Sequence, residues 1–505
     1  MAIRLSGMIS NLDTDAIVKE LMSAQSLKKT NIEQKKEKLS WKKEKWEELN
    51  TKIYALYTEK LSSLKLEGSY LTKKASSSNS EKATASATNA ANGSYSLKIE
   101  SLASAQFVTG ADISAKKLTK SSKLTDAGMS LQTLTVRMGE NLEKEVDIDI
   151  EDNMTFTDLA GKLGEAGLNA SFDEASGRFY ISAKDTGEKG KFTLTSNQSG
   201  DAGLAAIGLT EIDETLATSG QDAPESGTVA VVAAKNAKYI LNGATITSST
   251  NTVNANGLTI ELKGTTSEGE VINLTVSNDT DAVYDKIKEF VKSYNELVED
   301  MYGKYTASSA KDYHMLTDEE KEAMTDDQVE LWENKIKDSL LRSDTTLNSL
   351  MTTFRTAMQA TVTVDGETFG LASFGIETGN YLEHGILHIN GNADDGEYAD
   401  KTDKLKEALS KDPDKTGQAL SKIFSEFYKT LSDKMSANSI SSALTLYNDK
   451  QIQSQMDDYE KQISNWEDRL EDLEERYYKQ FAGMEKAMAN LQSQQNQLAG
   501  LLGMS

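Results

Sequence analysis

Residues 449–502 read DKQIQSQMDDYEKQISNWEDRLEDLEERYYKQFAGMEKAMANLQSQQNQLAGLL, and the chain is organised around this stretch. Its apolar residues recur every three or four positions, and the row slips by one residue before Phe481. This spacing is typical of a coiled coil, and the slip locally unwinds a left-handed supercoil. A continuous helix of this length is about 80 Å long. Its apolar stripe needs another helix to cover it.

A second long helix is predicted near the N-terminus, over residues 12–66. Ile32, Leu39, Trp46 and Ile53 recur every seven residues. Leu49 and Leu56 add a second seam in the later half, whereas Lys35 and Lys42 weaken the seam in the earlier half. Two helices of similar length at opposite ends of the chain can lie side by side. A pair of ordinary surface helices is the alternative.

We predict that the apolar residues of these two stripes form the coiled-coil and assembly interface. The members of this predicted interface are Ile32, Leu39, Trp46, Ile53, Ile463, Trp466, Leu470, Leu473, Tyr477, Phe481, Met484, Met488 and Leu491.

Between the terminal helices the pattern changes to that of β-strands. Residues 73–92 are rich in Ser, Ala, Thr and Asn, which predicts an extended connector. Residues 94–99 alternate polar and apolar side chains, and Asn242-Gly243 is typical of a hairpin turn. From Asp281 the apolar period returns to about 3.6, which predicts an amphipathic helix.

The predicted fold class is α+β, multidomain and nested. The terminal coiled-coil legs comprise residues 1–45 and 449–505, and a mainly helical body comprises 46–78 and 281–448. A β-rich domain comprises 79–105 and 229–280, and a β-rich outer domain, 106–228, is inserted into it.

Composition excludes several classes of function. The 505 residues carry a formal net charge of -24, and an acidic chain is repelled by nucleic-acid phosphates and anionic lipid surfaces. No apolar run approaches the roughly 20 residues of a membrane-spanning helix, so we expect no membrane insertion. Cysteine is absent, which excludes disulfides and thiolate-ligated metals.

No motif predicts catalysis or a cofactor. The sequence lacks a phosphate-binding glycine loop, a His-Glu-x-x-His motif and a nucleophile elbow. His384 and His388, if both lie on one strand, point to the same face and could share a metal. No third ligand stands at a motif spacing, so we interpret them as ordinary strand residues. The acidic run 318–330 lacks the order of a calcium loop and predicts a solvated helix face.

Several segments, in order along the chain, resemble the bacterial flagellar filament cap family, also called hook-associated protein 2. They are 11–22 (NLDTDAIVKELM), 237–243 (AKYILNG), 257–263 (GLTIELK) and 290–297 (FVKSYNEL). Residues 385–390 (GILHIN) depart from the family's pattern, which usually ends in Asp where Asn390 stands.

The resemblance implies a structural cap at the distal tip of the flagellum that promotes folding and polymerisation of exported flagellin. It implies secretion through the flagellar export apparatus and an extracellular position. The implied partners are other copies in a ring-like homo-oligomer (a pentamer is expected), flagellin, the hook–filament junction proteins and an export chaperone. Alternatives are another axial protein, such as a junction protein or a flagellin, or a tip adhesin that binds host glycans or mucin.

Overall fold

The computed structural model describes residues 13–198, 203–222 and 228–501, with side chains described up to residue 498. Asn11 and Leu12 of the N-terminal motif, Pro224, and Leu502 at the end of the C-terminal stripe therefore lie outside the described residues. The chain divides into two compact units, Met1–Leu71 with Thr280–Ser505 (unit 1) and Thr72–Asp279 (unit 2). The second unit is thus inserted into the first, and the predicted nested α+β organisation is confirmed.

Helices dominate unit 1. The α-helices of the whole described chain are α1 (Thr14–Ala55), α2 (Ser62–Leu64), α3 (Phe156–Ala166), α4 (Glu214–Ser219), α5 (Thr280–Tyr305), α6 (Asp318–Glu322), α7 (Asp326–Asp338), α8 (Thr345–Met358), α9 (Lys404–Lys411), α10 (Pro413–Lys434) and α11 (Asp449–Leu501).

Strands dominate unit 2. They are β1 (Lys73–Ser77), β2 (Ala83–Ala87), β3 (Gly93–Ser101), β4 (Phe107–Thr109), β5 (Thr133–Met138), β6 (Lys144–Asp149), β7 (Leu168–Asp173), β8 (Arg178–Ala183), β9 (Phe192–Ser196), β10 (Ala230–Val232), β11 (Ala237–Leu241), β12 (Ala244–Ser248), β13 (Thr252–Ala255), β14 (Leu258–Leu262) and β15 (Ile272–Asn278), followed in unit 1 by β16 (Thr361–Val364), β17 (Glu367–Gly370), β18 (Ile376–Thr378) and β19 (Leu387–Ile389).

The N-terminal helix begins where its sequence predicts. The Asp13 side chain accepts a hydrogen bond from the Ala16 N–H at 2.9 Å and so caps the first turn. The single helix predicted to reach residue 66 is interrupted. Residues Leu56–Leu61 form a π-helical segment before α2. Leu56 and Leu61 are both buried, and the wider π turn brings residues five apart towards one side.

The core of unit 1, which we call the body core, is built around aromatic rings from distant parts of the chain. The Phe290 ring meets Phe424 edge-on at 4.8 Å between centroids, and Phe354 meets Phe427 edge-on at 5.2 Å. Phe290, Tyr294 and Leu297 of the segment 290–297 are all buried. This segment therefore supplies three side chains to the body core.

Unit 2 contains antiparallel sheets over two hydrophobic cores. In the described residues the sheets have the strand orders β1-β15-β3-β11-β12, β13-β14-β2, β10-β4-β8-β7 and β6-β5-β9. One core uses side chains from 83–103 and 237–276, and the other uses side chains from 105–231. The predicted hairpin is present, since Asn242 and Gly243 both have positive φ and join β11 to β12.

The prediction of an extended connector over residues 73–92 is wrong. Residues 73–77 form β1, which pairs with β15, and residues 83–87 form β2, which pairs with β14. The limit of the helical body, predicted at residue 78, accordingly falls between Leu71 and Thr72. These strands consist mostly of Ala, Ser, Thr and Lys, so their pairing partners, and not their own propensity, place them in the sheets.

Candidate assembly interface of the terminal helices

Helices α1 and α11 run antiparallel and pair over residues 29–43 of α1 and 453–467 of α11. Polar contacts join them at positions spaced by seven residues in both helices. These contacts are Lys29 Nζ to Glu467 Oε1 at 2.9 Å, Lys36 Nζ to Glu460 Oε1 at 2.7 Å, and Lys43 Nζ to Gln453 Oε1 at 3.3 Å. A step of seven along one helix matches a step of seven back along the other, which is the heptad register of a coiled coil.

The cross-helix ion pairs contribute mainly to register. The pKa of the Lys29 ammonium is raised, chiefly by its hydrogen bond to Glu467 and also by Glu33, against the opposite effect of partial burial. The Glu467 side chain keeps 55% of its surface exposed and Glu460 keeps 59%. Exposed pairs of this kind typically contribute about 0–1 kcal/mol. They select one alignment of the helices without adding much stability.

The apolar row of α11 is covered at its base and open further along. Ile452 is buried, and Met456 packs against the body core. Beyond them the predicted interface residues on α11 remain half-buried as far as Met488, and Leu491 is 64% exposed. The half-buried members are Ile463, Trp466, Leu470, Leu473, Tyr477, Phe481, Met484 and Met488. In the part of the chain that the structure describes, this row is a continuous, partly uncovered apolar face.

Trp466 shows how this open face is partly screened. The Lys28 ammonium lies 5.5 Å from the centroid of the Trp466 ring, and the Arg469 guanidinium carbon lies 4.9 Å from it. Cations over an indole face contribute about 0.5–1 kcal/mol at exposed sites. Long cationic side chains thus cover part of an aromatic ring that no packed core encloses.

Two of the predicted interface residues on α1 lie in the body core of unit 1. Trp46 is 2% exposed and Ile53 is 0% exposed, and both lie in the body core of their own chain. They are therefore unavailable to another subunit, and their assignment to the assembly interface is wrong. Ile32 and Leu39 are half-buried, and Leu39 packs against the body core. A seven-residue repeat looks the same whether a helix faces a partner helix or a globular core.

Asn50 fastens the segment that precedes α11 onto α1. Its Nδ2 donates to the Leu444 carbonyl at 3.1 Å, and its Oδ1 accepts from the Leu446 N–H at 2.9 Å. Close by, the Trp46 and Tyr447 rings stack with centroids 5.6 Å apart. Burial, with a smaller contribution from Glu47, raises the pKa of Tyr447 to about 12. We call these contacts the leg root, because they set where α11 leaves the body.

The leg root was not predicted from the sequence. A side-chain amide is the group that can donate to one backbone carbonyl and accept from a nearby N–H at the same time. Asn50 lies within a helix and belongs to no repeat or motif of the sequence. Its partners are about 400 positions away in the sequence, so no local pattern announces the contact.

Replacing Asn50 by Asp is expected to loosen the leg root. The carboxylate still accepts from the Leu446 N–H but cannot donate to the Leu444 carbonyl, at a cost of about 1 kcal/mol. Spin labels at the exposed positions 35 and 461 should then show a broader distance distribution than in the parent protein. Asn31→Asp, at an exposed position of the same helix, is the matched control and should leave the distribution unchanged. An equally narrow distribution in both variants would contradict this role for Asn50.

The region around α7 supports α1 where it leaves the body. Gln34 Nε2 donates to the Met315 carbonyl at 3.0 Å, and Lys42 pairs with Asp344 at 2.8 Å. The Lys337 ammonium lies 4.4 Å from the centroid of the Trp41 ring. Contacts with the body therefore begin near residue 34, well before the predicted leg limit at residue 45. Lys42, predicted to weaken a coiled-coil seam, instead faces an acidic partner.

Glu333 reinforces this support from α7. It accepts from Lys321 at 2.9 Å and from Lys337 at 3.1 Å. Burial acts to raise the pKa of the Glu333 carboxyl, but the hydrogen bonds from the two lysines outweigh it and hold the pKa below its usual value. A carboxylate held ionised in this way keeps Lys337 in position over Trp41.

The two histidines do not form a metal pair. His384 has a left-handed backbone (φ 58°) and precedes β19, whereas His388 lies within it, so they do not share a strand face as predicted. His388 contacts Asp395 through Nδ1 at 3.0 Å and Glu383 through Nε2 at 2.8 Å. These carboxylates approach different nitrogens of the ring and do not converge on one point. Within the described ranges, no group of three or more His, Asp or Glu side chains is arranged to hold a metal.

The acidic run 318–330 spans α6 and the start of α7, and its side chains are mostly exposed. Thr317 and Thr325 cap the two helices, each with a capping box. Its carboxylates thus stand on solvated helix turns.

The length of α1 and α11 does not make them membrane helices. Both carry charged side chains throughout, because charge and amide groups fill the positions between the apolar ones. Among the residues that the structure describes, none of the helices combines the length and apolarity needed to cross a bilayer.

The antiparallel pairing of α1 with α11, the partly open apolar row and the insertion of unit 2 into unit 1 define a class of protein: a multidomain α+β protein whose two long helices, from opposite ends of the sequence, pair with each other. Comparison with known families is more specific. Residues 234–493 match the C-terminal profile of flagellar hook-associated protein 2, and residues 10–106 match its N-terminal profile. The chain belongs to the flagellar hook-associated protein 2 family, and the resemblance predicted from its motifs is confirmed.

Relatives of similar length support this assignment. Flagellar hook-associated protein 2 of Halalkalibacterium halodurans is 25% identical over 97% of this chain and 98% of its own length. The protein of the same name from Escherichia coli K12 is 24% identical over 96% of this chain and 95% of its own. The A-type protein of Pseudomonas aeruginosa is 33% identical over 44% of this chain and 47% of its own length.

Among solved structures, three domains of the Escherichia coli flagellar cap protein are similar, at 21% identity and a TM-score of 0.47. The similarity covers 75% of this chain and 95% of that chain. From its family, this chain is a structural component of the bacterial flagellum, of the filament-cap type.

Proposed function

We propose that this chain caps the distal tip of the flagellar filament and promotes folding and polymerisation of exported flagellin beneath it. The observation that carries the proposal is the apolar row of α11, which is anchored to the body core at Ile452 and partly uncovered beyond it. A cap must hold the filament end while new subunits enter. Terminal helices that are fixed at one end and open along one face suit that task.

The partly covered row favours docking against further helices. Burial of apolar surface contributes roughly 25 cal/mol per Å², so a row of half-buried residues retains a substantial capacity for binding. The 3-4 spacing of the row matches the grooves of another helix. The end of a filament built from helical subunits is such a partner.

Assembly and export are part of the proposed role. We infer a ring-like homo-oligomer, with five copies as the expected number, that contacts flagellin and stands above the hook–filament junction proteins. A chain without cysteine and with only two prolines carries no crosslinks and few slow isomerisations into the export channel. An export chaperone that covers the open row before assembly completes the proposed set of partners. The role is structural and involves no catalysis.

The proposal is tested in cells that lack this protein. We expect such cells to release unpolymerised flagellin into the medium and to carry hooks with short filaments or none. Restoring the wild-type gene should return flagellin to the filament fraction, as measured by immunoblotting of sedimented and soluble fractions. Filaments of normal length in the deletion strain, with no soluble flagellin, would contradict a capping function.

A further inference from the structure

A short turn in unit 1 exposes two large apolar side chains. Tyr381 is 87% exposed and Leu382 is 62% exposed, and both lie in the 3-10 turn Tyr381–Glu383 between β18 and β19. Adjacent apolar side chains that extend this far from a folded surface are candidates for contact with a partner. We call Tyr381 and Leu382 the knob.

The knob is held rigidly by its neighbours. Asn380 Oδ1 accepts from the Leu382 N–H at 2.8 Å, and Glu383 contacts His388 at 2.8 Å. The His384 ring stacks on Tyr302 of α5 with centroids 3.4 Å apart. A turn that is already ordered loses little conformational entropy when its side chains bind.

Asn295 attaches the strand that follows the knob to α5. Its Oδ1 accepts from the Leu387 N–H at 2.8 Å, and its Nδ2 donates to the Leu387 carbonyl at 2.8 Å. Asn295 and Tyr302 are seven residues apart and so share one face of α5. Both attachments of the knob region to this helix lie on that face.

A groove lies between α5 and the segment around the π-helix. It encloses about 310 Å³, and its floor includes Ala55, Leu56 and Leu297. Lys52, Lys60, Glu59 and Glu296 form a mixed rim, and Ser293 lies between floor and rim. The π-helical turn widens the helix at this point, a feature that often marks functional positions.

The knob and the groove are on opposite sides of α5. Ser293 and Leu297 line the groove, whereas Asn295 lies on the knob side. Two residues along an α-helix correspond to a rotation of about 200°. One chain therefore carries a projecting apolar element on one side of a core helix and, on the other side, a recess with an apolar floor and a charged rim. A contact between such different surfaces is heterologous and forms rings when its rotation closes.

We propose that the knob of one copy of this chain sits in the α1–α5 groove of the next copy. The inference rests on the proposed ring of identical subunits and assigns a contact within it. Tyr381 and Leu382 meet the apolar floor and the aliphatic stems of the rim lysines. Lys52 and Lys60 keep their ion pairs with Asp300 and Glu289 at the edge of the groove.

The contact is tested by disulfide trapping, because the chain has no cysteine of its own. In Leu382→Cys/Ser293→Cys the two thiols are on opposite sides of α5 and cannot meet within one chain. Oxidation of the assembled protein should give a ladder of covalent oligomers on a non-reducing gel. Leu331→Cys/Ser293→Cys is the matched control, since Leu331 is 67% exposed on α7. We expect at least tenfold less ladder from the control.

A second variant tests what the knob contributes to self-association and introduces no cysteine. Tyr381→Ser/Leu382→Ser should weaken self-association at least tenfold in sedimentation velocity and leave the thermal unfolding midpoint unchanged, because both side chains are exposed. If wild-type protein forms oligomers but the cysteine pair gives no more ladder than the control, this contact is overturned and the ring stands. If wild-type protein does not self-associate even where it restores filament growth, both the contact and the ring are overturned.

Discussion

Deleting residues 449–505 is expected to abolish capping and leave unit 2 folded. The deletion removes the open apolar row and the helix that pairs with α1, so nothing of the proposed docking surface remains on the C-terminal side. Unit 2 keeps its two hydrophobic cores, both built from side chains within 83–276. Motility and filament length should fall to the level of the null strain. Hydrogen exchange in residues 72–279 should match that of the full chain.

A triple substitution separates loss of the row from loss of the helix. Ile463→Ser/Leu470→Ser/Tyr477→Ser keeps the length of α11 but removes three half-buried members of the row. We expect it to prevent filament growth like the deletion. The matched control is Lys461→Ser/Asp468→Ser/Glu475→Ser, which changes exposed positions with the same spacing, two residues earlier. Normal filaments with the first variant, or equal defects with both, would refute docking through the apolar row.

Replacing Trp46 by Ala is expected to destabilise unit 1 by about 3–5 kcal/mol, the usual cost of truncating a buried tryptophan. Trp46 is 2% exposed in the body core, and its ring stacks on Tyr447 at the leg root. The substitution thus removes core packing and one attachment of α11 together. The calorimetric transition of unit 1 should shift to lower temperature, while that of unit 2 stays in place.

Trp466→Ala is the matched comparison, because it changes the same residue type on the open row. Trp466 is half-buried, and its contacts with Lys28 and Arg469 are exposed, so we expect a loss of at most about 1 kcal/mol. Its effect should instead appear in filament growth. If the thermal shift of Trp46→Ala is as small as that of Trp466→Ala, Trp46 is not a core residue of unit 1 and returns to the predicted assembly interface.

The elements with a strong local period could be predicted from the sequence. The row from Ile452 to Met488 has helical spacing, and α11 is a helix throughout it. The Asn242-Gly243 pair marks a hairpin, because both residues accept positive φ. The return to helical period near Asp281 coincides with the start of α5 at Thr280. In each case the side chains needed to specify the element lie within a few residues of one another.

Contacts between residues far apart in the sequence could not be predicted from the sequence. Strands β1 and β2 have unremarkable sequences and exist because β15 and β14 pair with them. Asn50 holds residues almost 400 positions away, and the knob faces away from a groove built partly from α1. No periodicity records such contacts, because each involves one or two side chains.

Trp46 and Trp466 show which features the sequence determines by itself and which only the tertiary structure decides. Both lie in rows of apolar residues with coiled-coil spacing, and that spacing follows from the order of residues alone. The body core encloses one of them, whereas the other remains on a partly open face. A local pattern selects which side of a helix is apolar, since that depends on the turn of the backbone. What covers that side depends on which distant segments fold against it.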